Sequence, residues 1–162
     1  FNNDISSYIR NEFKILIGEK TAEELKIAIG GVAPEREPLE ATIRGRDLVT
    51  GLPREVIITD SDVREAIMPS VAQIVEAAQE VIETTPPEVL SDVVSRGIYL
   101  VGGGALLRKL PEYLSETLNI PVHLAEEPLT AVARGAGLVL EQFDEYQNLL
   151  IRHEDDISLQ LA

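Results

Sequence analysis

Between Gly97 and Leu110 the chain reads Gly-Ile-Tyr-Leu-Val-Gly-Gly-Gly-Ala-Leu-Leu-Arg-Lys-Leu. Three consecutive glycines, Gly102, Gly103 and Gly104, follow the short uncharged run Ile98 to Val101 and precede a leucine-periodic stretch (Leu106, Leu107, Leu110, Leu114). Glycine has no Cβ, so such a turn can take positive φ and let a flat ligand lie directly on the main chain. A helix opening there would aim its free N–H groups and positive dipole end at the occupant. A nucleotide is a natural occupant, although a tight strand-to-helix turn without a ligand uses the same residues. Glu23 and Lys26 form the other chemically suggestive pair, a carboxylate and an ammonium three positions apart and so on one helical face. Taken alone they read as a solvated surface ion pair worth a few tenths of a kcal/mol.

The elements that must position these groups are legible from period and punctuation. Asp4 to Ile17 carries Ile5, Tyr8, Ile9, Phe13 and Leu16 at helical spacing, and Gly18 is expected to stop that helix. Thr21 reads as the N-cap of a second helix, Ala22 to Ile29, with Glu24 completing a capping box before Gly30 and Gly31 end it. Leu39 to Val49 and Glu55 to Thr59 read as strands of an antiparallel hairpin turned at Thr50-Gly51-Leu52-Pro53. Arg44, Arg46 and Asp47 read there as solvated strand-edge charges. Asp60-Ser61-Asp62 is expected to cap the longest helix, Val63 to about Thr84, with Pro69 kinking or restarting it.

After Pro86-Pro87 a short helix, Glu88 to Ser95, leads into Ile98 to Val101, a strand of the kind buried inside a parallel sheet. The post-glycine helix is expected to continue through Leu118, with Pro111 kinking its first turns and Asn119 ending it. Val122 to Leu124 reads as a second short strand, in which His123 is an ordinary strand residue. The last helix, Ala131 to Glu141, has a small face of Ala131, Ala133, Gly135, Ala136 and Gly137. Glycine costs about 1 kcal/mol in a helix interior, so that face predicts a close backbone contact. The acidic tail after Phe143 is expected to be frayed or disordered.

Composition narrows the functional class. With 14 basic and 28 acidic residues the net charge is -14, which argues against a nucleic-acid partner. There is no Cys and there are only two His, so a disulfide framework or a zinc site is not expected. No apolar run approaches the roughly 20 residues that span a bilayer. The start, Phe-Asn-Asn-Asp-Ile, lacks the features of a signal peptide and an initiator Met, so the chain is expected to begin partway through a longer, cytoplasmic protein.

Five stretches together resemble the C-terminal half of the MreB family, the bacterial actin homologues that shape rod cells. They are Phe1 to Ile5, Thr21 to Lys26, Gly45 to Pro53, Val101 to Leu107 and Ala131 to Gly137, in the expected order. The resemblance runs from Phe1 to about Glu141. It implies an α/β fold of the actin-like (ribonuclease H-like) ATPase type, second half only, with an inserted small α+β subdomain at 1–69. Residues 70–143 would then belong to the larger subdomain.

It also implies that Gly102, Gly103, Gly104 and Ala105 match the adenosine motif, and that Glu23 and Lys26 match the pair reaching the ribose and adenine edge. Ala131 to Gly137 matches the helix crossing between the two halves. The implied cofactor is ATP, with Mg²⁺ held in the intact protein by ligands outside this chain. The implied partners are further copies in a filament, the cell-wall elongation machinery and the inner membrane surface. The phosphate-binding loops and catalytic acids should precede Phe1, so the chain alone is not expected to hydrolyse ATP. A chaperone-type ATPase on the same fold and a non-enzymatic interaction module are the competing readings.

Overall fold

The computed structural model describes residues 1–147. Its elements are α1 (Asn2–Glu12), β1 (Ile15–Leu16), α2 (Glu19–Ile29), β2 (Glu40–Asp47), β3 (Pro53–Thr59), α3 (Asp60–Thr84), α4 (Pro87–Arg96), β4 (Ile98–Leu100), α5 (Leu110–Leu118), β5 (Val122–Leu124), α6 (Ala131–Glu141) and α7 (Phe143–Tyr146). A 3₁₀ turn, Gly103–Leu106, lies between β4 and α5.

The first 75 residues build most of the core. Ile5 and Ile9 of α1 recur four apart, and Ala22, Leu25 and Ile29 of α2 follow at three and four. Val63, Ala66, Ile67, Val71 and Val75 make the inner stripe of α3. These faces meet one another and one side of the antiparallel sheet β1-β2-β3, which contributes Ile15, Ile43 and Ile58. Leu107, Leu110 and Leu114 enter the same cluster from the segment after the glycines. That segment is thereby anchored to the core of α2 and α3 as well as to its own strands, whose Leu100 and Val122 pack against the same cluster.

Several local expectations are corrected. The first helix ends at Phe13, not at Gly18, because Lys14 turns left-handed (φ 57°) and Ile15–Leu16 pair with Arg46 and Asp47. Gly18 is instead the N-cap of α2, which starts at Glu19, so Thr21 lies inside its first turn and caps nothing. The hairpin is as expected, with Ile43 opposite Val56 and Glu40 opposite Thr59. The cap of α3 is Thr59, which accepts from the Asp62 amide at 3.2 Å while Asp62 accepts from the Thr59 amide at 2.8 Å. Pro69 does not restart α3, whose buried stripe continues past it.

The second sheet is a parallel pair, β4 with β5, registered Ile98 to Val122 and Leu100 to Leu124. It is not buried as parallel strands usually are: Tyr99 is 64% exposed, its ring 5.2 Å from that of His123. Pro111 falls in the first turn of α5, where its missing N–H costs nothing, so it starts the helix instead of kinking it. Asn119 ends α5 in the left-handed conformation (φ 53°). The close backbone contact expected at α6 is not made within the described residues: nothing lies within 4 Å of a Cβ built at Gly135 or Gly137. The tail expectation falls beyond the described residues from position 148 on.

Candidate functional site

Glu23 and Lys26 project from the middle of α2 beside the face that Ala22, Leu25 and Ile29 lock into the core. The Lys26 ammonium donates to Glu23 Oε2 at 2.6 Å and to Asn2 Oδ1 at 3.1 Å. Its side chain is only 14% exposed while that of Glu23 is 42% exposed, so the pair is not the fully solvated one the spacing alone suggests. The hydrogen bond from Lys26 holds the Glu23 carboxyl below its usual pKa, with Asn2 adding to the effect. One ammonium thus bridges two oxygen acceptors at a partly open surface.

The glycine turn differs from its expected form. Gly102 has φ +82° and an open surrounding, with nothing within 4 Å of a Cβ built there, and its amide donates to the Pro128 carbonyl at 2.7 Å. Gly103 is exposed, Gly104 half-buried and Ala105 buried. The chain then makes a 3₁₀ turn, and α5 begins only at Leu110, with Lys109 in the left-handed conformation. The first turn of α5 therefore does not abut the glycines, and the expected helix-dipole contribution is lost. What remains is a shelf of main chain.

The shelf and the pair are close in space through the first two residues. A Cβ built at Gly104 would stand 3.6 Å from the Phe1 ring, and Asn2 is the residue bonded to Lys26. Phe1 and Asn2 thus connect one wall to the other, a role that inspection of the sequence missed. Their membership of the Phe1 to Ile5 stretch was the available signal.

A second junction fixes the same two walls from below. Gly31 and Arg108 form a parallel bridge, with the Val32 amide donating to the Arg108 carbonyl at 3.1 Å. The Arg108 amide reaches the Gly30 carbonyl at 3.4 Å, and its Nη2 donates to the Ala28 carbonyl at 2.7 Å. Approach this close leaves little room for a side chain: a Cβ on Gly31 would lie 3.1 Å from that of Arg108, and one on Gly30 3.2 Å from Leu107 Cδ2.

The comparisons with known proteins come down on one family. The family model described as MreB/Mbl protein matches residues 1–148. The chain belongs to the MreB/Mbl family. It is 47% identical over 145 residues to the cell shape-determining protein Mbl of Bacillus subtilis, covering 90% of this chain and 44% of that one. To the cell shape-determining protein MreB of Escherichia coli it is 43% identical over 154 residues, covering 95% of this chain and 44% of that one. The chain therefore spans less than half the length of these relatives.

Among solved structures it is similar to MreB5 of Spiroplasma citri bound to ADP, with a TM-score of 0.85 and 33% identity over 91% of this chain and 45% of that one. The MamK double helical filament shares the fold at a TM-score of 0.72 and 21% identity, covering 86% of this chain and 43% of that one. The MreB/Mbl chain has part of the actin-like fold.

Packing accounts for one of the stretches that carried the resemblance. Asp47, expected to be solvated, is 6% exposed because β2 is the central strand of its sheet. Its Oδ1 accepts from the amides of Val49 and Thr50 at 2.8 and 2.9 Å, and Oδ2 accepts from Arg54 at 3.1 Å. The amides of Thr50 and Val49 and the Arg54 guanidinium hold its carboxyl down at about 2. Gly45 faces β1 so closely that a Cβ there would stand 2.6 Å from the Leu16 carbonyl oxygen. The Gly45 to Pro53 motif of this MreB/Mbl chain is thus a structural hairpin lock. Among the described residues, no three or more His, Asp or Glu side chains gather as metal ligands, and no helix is long and apolar enough to cross a membrane.

Proposed function

We propose that this chain supplies the adenosine side of an ATP site in a filament-forming, cell-shape-determining actin-like protein, as its second half. The observation that carries this is the meeting of a main-chain shelf without Cβ atoms, Gly102 to Gly104, with the Glu23–Lys26 pair through Phe1 and Asn2. A purine ring fits against backbone that lacks Cβ atoms, and ribose hydroxyls suit a carboxylate acceptor beside an ammonium donor. Ala105, being buried, would act through its main chain. ADP in the MreB5 structure of Spiroplasma citri and AMPPNP in a second one support a nucleotide as ligand.

The residues present do not fit a Mg²⁺ site, as no carboxylate cluster is available for one among those described. The chain binds and orients the nucleoside, and the groups that position the γ-phosphate, water and metal belong to the rest of the molecule. The chain alone is accordingly inactive in hydrolysis. Filaments follow from head-to-tail contacts that do not close. Family membership supports a cytoplasmic protein acting with the cell-wall elongation machinery at the inner membrane surface.

The test is a titration of the full 162-residue chain with ADP, adenosine and tripolyphosphate, followed by amide NMR. ADP and adenosine should both move Gly103, Lys26 and their neighbours, and Lys26→Ala should weaken adenosine binding roughly tenfold. Shifts with tripolyphosphate alone, or none with adenosine, would return the chain to the interaction-module reading. Sedimentation of the longer protein with ATP tests polymerisation, and a soluble, nucleotide-bound monomer at all concentrations would count against filaments.

A further inference from the structure

The residues that touch the proposed nucleoside lie on two segments about 80 positions apart in sequence, and Arg108 joins them. α2 carries the half-exposed Glu23 and the largely buried Lys26 and ends at Gly30, whose amide donates back to the Lys26 carbonyl at 2.8 Å. That carbonyl and those of Ala28 and Gly30 belong to the last turn of α2, the negative end of its dipole. Arg108 places its guanidinium there, with Nη2 at 2.7 Å from the Ala28 carbonyl and Nη1 at 3.4 Å from that of Gly30. Its own backbone meets Gly30 and Val32 on either side. Lys109 adds a tie to the following loop, bonding the Pro34 carbonyl and pairing with Glu35 at 3.3 Å.

Four residues before Arg108 stands Gly104, with only the 3₁₀ turn between. A shift of Arg108 along α2 therefore moves the shelf relative to the Lys26 ammonium. The Phe1–Asn2 connection above is made by side chains alone, a ring contact and a hydrogen bond to Lys26, whereas the Arg108 junction is a two-sided backbone bridge reinforced by a guanidinium fork.

We propose that Arg108 is a positioning residue for the nucleotide site: by clamping the C-terminal turn of α2 it fixes the Gly102–Gly104 shelf at the distance from Glu23 and Lys26 that a nucleoside requires. This rests on the adenosine reading given above. It assigns Arg108 no contact with the ligand. Lysine cannot reproduce the planar fork that reaches two carbonyls at once.

The test is a double-mutant cycle for ADP binding to the full chain, read by calorimetry or NMR, with Arg108→Gln and Lys26→Ala singly and together. Arg108→Gln should weaken ADP roughly tenfold in the Lys26 background and by less than about twofold once Lys26 is gone, because the spacing then serves no ammonium. Arg108→Lys should be intermediate and also covers the case in which Arg108→Gln does not fold. Equal losses in both backgrounds, or none in either, would overturn the clamp as a positioning device. If Lys26→Ala itself leaves ADP affinity unchanged, the adenosine reading fails first and this inference falls with it. A loss on Lys26→Ala without one on Arg108→Gln or Arg108→Lys sinks the clamp alone.

Discussion

The two ends of the described chain use similar helices to opposite effect. In the first, α1 and α2 each bury one face, and Ile5, Ile9, Ile15, Ile58, Val63, Ile67 and Val71 are all under 2% exposed. In the second, α4 and α6 are just as amphipathic in sequence yet bury no residue, and β4 and β5 form a two-stranded parallel pair whose Leu100 and Val122 are only partly buried. Parallel strands normally carry cover on both faces, and two strands are marginal by themselves. A hydrophobic stripe specifies which way a helix would face but not that anything is there to meet it. The segment Leu107 to Leu114 crosses the divide by joining the first core, and Leu100, Leu118 and Val122 pack against it.

The contrast can be broken by substitution. Ile67→Ala, at a fully buried position of α3, should cost about 2–5 kcal/mol in urea denaturation. A cost under about 1 kcal/mol would mean the first core is not continuous. Gly45→Ala comes next at about 1–3 kcal/mol, because the new methyl must displace β1 from β2. Acid sensitivity should also belong to the first region. The Asp47 carboxyl sits at about 2 when folded against an ordinary 3.8, so its contribution is complete above that ordinary value. It is lost as pH falls through the folded value. Asp47→Asn should flatten that part of the acid limb, and an unchanged limb would place the sensitivity elsewhere.

The smallest effect is expected at α6, where Val132→Ser, at a 70% exposed site, should change stability by less than about 0.5 kcal/mol. Amides of α4 and α6 should exchange with solvent well before those of α1 and the first half of α3. Equal protection would erase the distinction between the regions.

What the sequence made legible follows from how local each signal is. The β2–β3 hairpin, α2 and the Glu23–Lys26 contact could be read because a turn or an i,i+3 spacing settles them within a few residues. β1 could not, since Ile15–Leu16 exists only by pairing with Arg46 and Asp47, and its residues continue the helical period of α1. Asp47 looked solvated because nothing local shows that its strand is central or that the amides of Val49 and Thr50 turn toward it. The glycine turn follows β4 as its residues predicted, but its 3₁₀ form depends on Leu107 and Leu110 reaching a core built by distant residues. Arg108 carried no signal at all, because its partners Ala28 and Gly30 lie on another element.

α3 spans both regions, and that has a mechanical side. At 25 residues it is about 37 Å long, gripped by the core up to Val75 and free of buried residues beyond it. A rigid rod held at one end multiplies angle into distance. A rotation of about 5° with the grip at Val75 as the pivot swings the Thr84 end, about 13 Å away, by roughly 1 Å. Small adjustments around Ile67 and Val71 thus reach the start of α4 as displacements of about 1 Å.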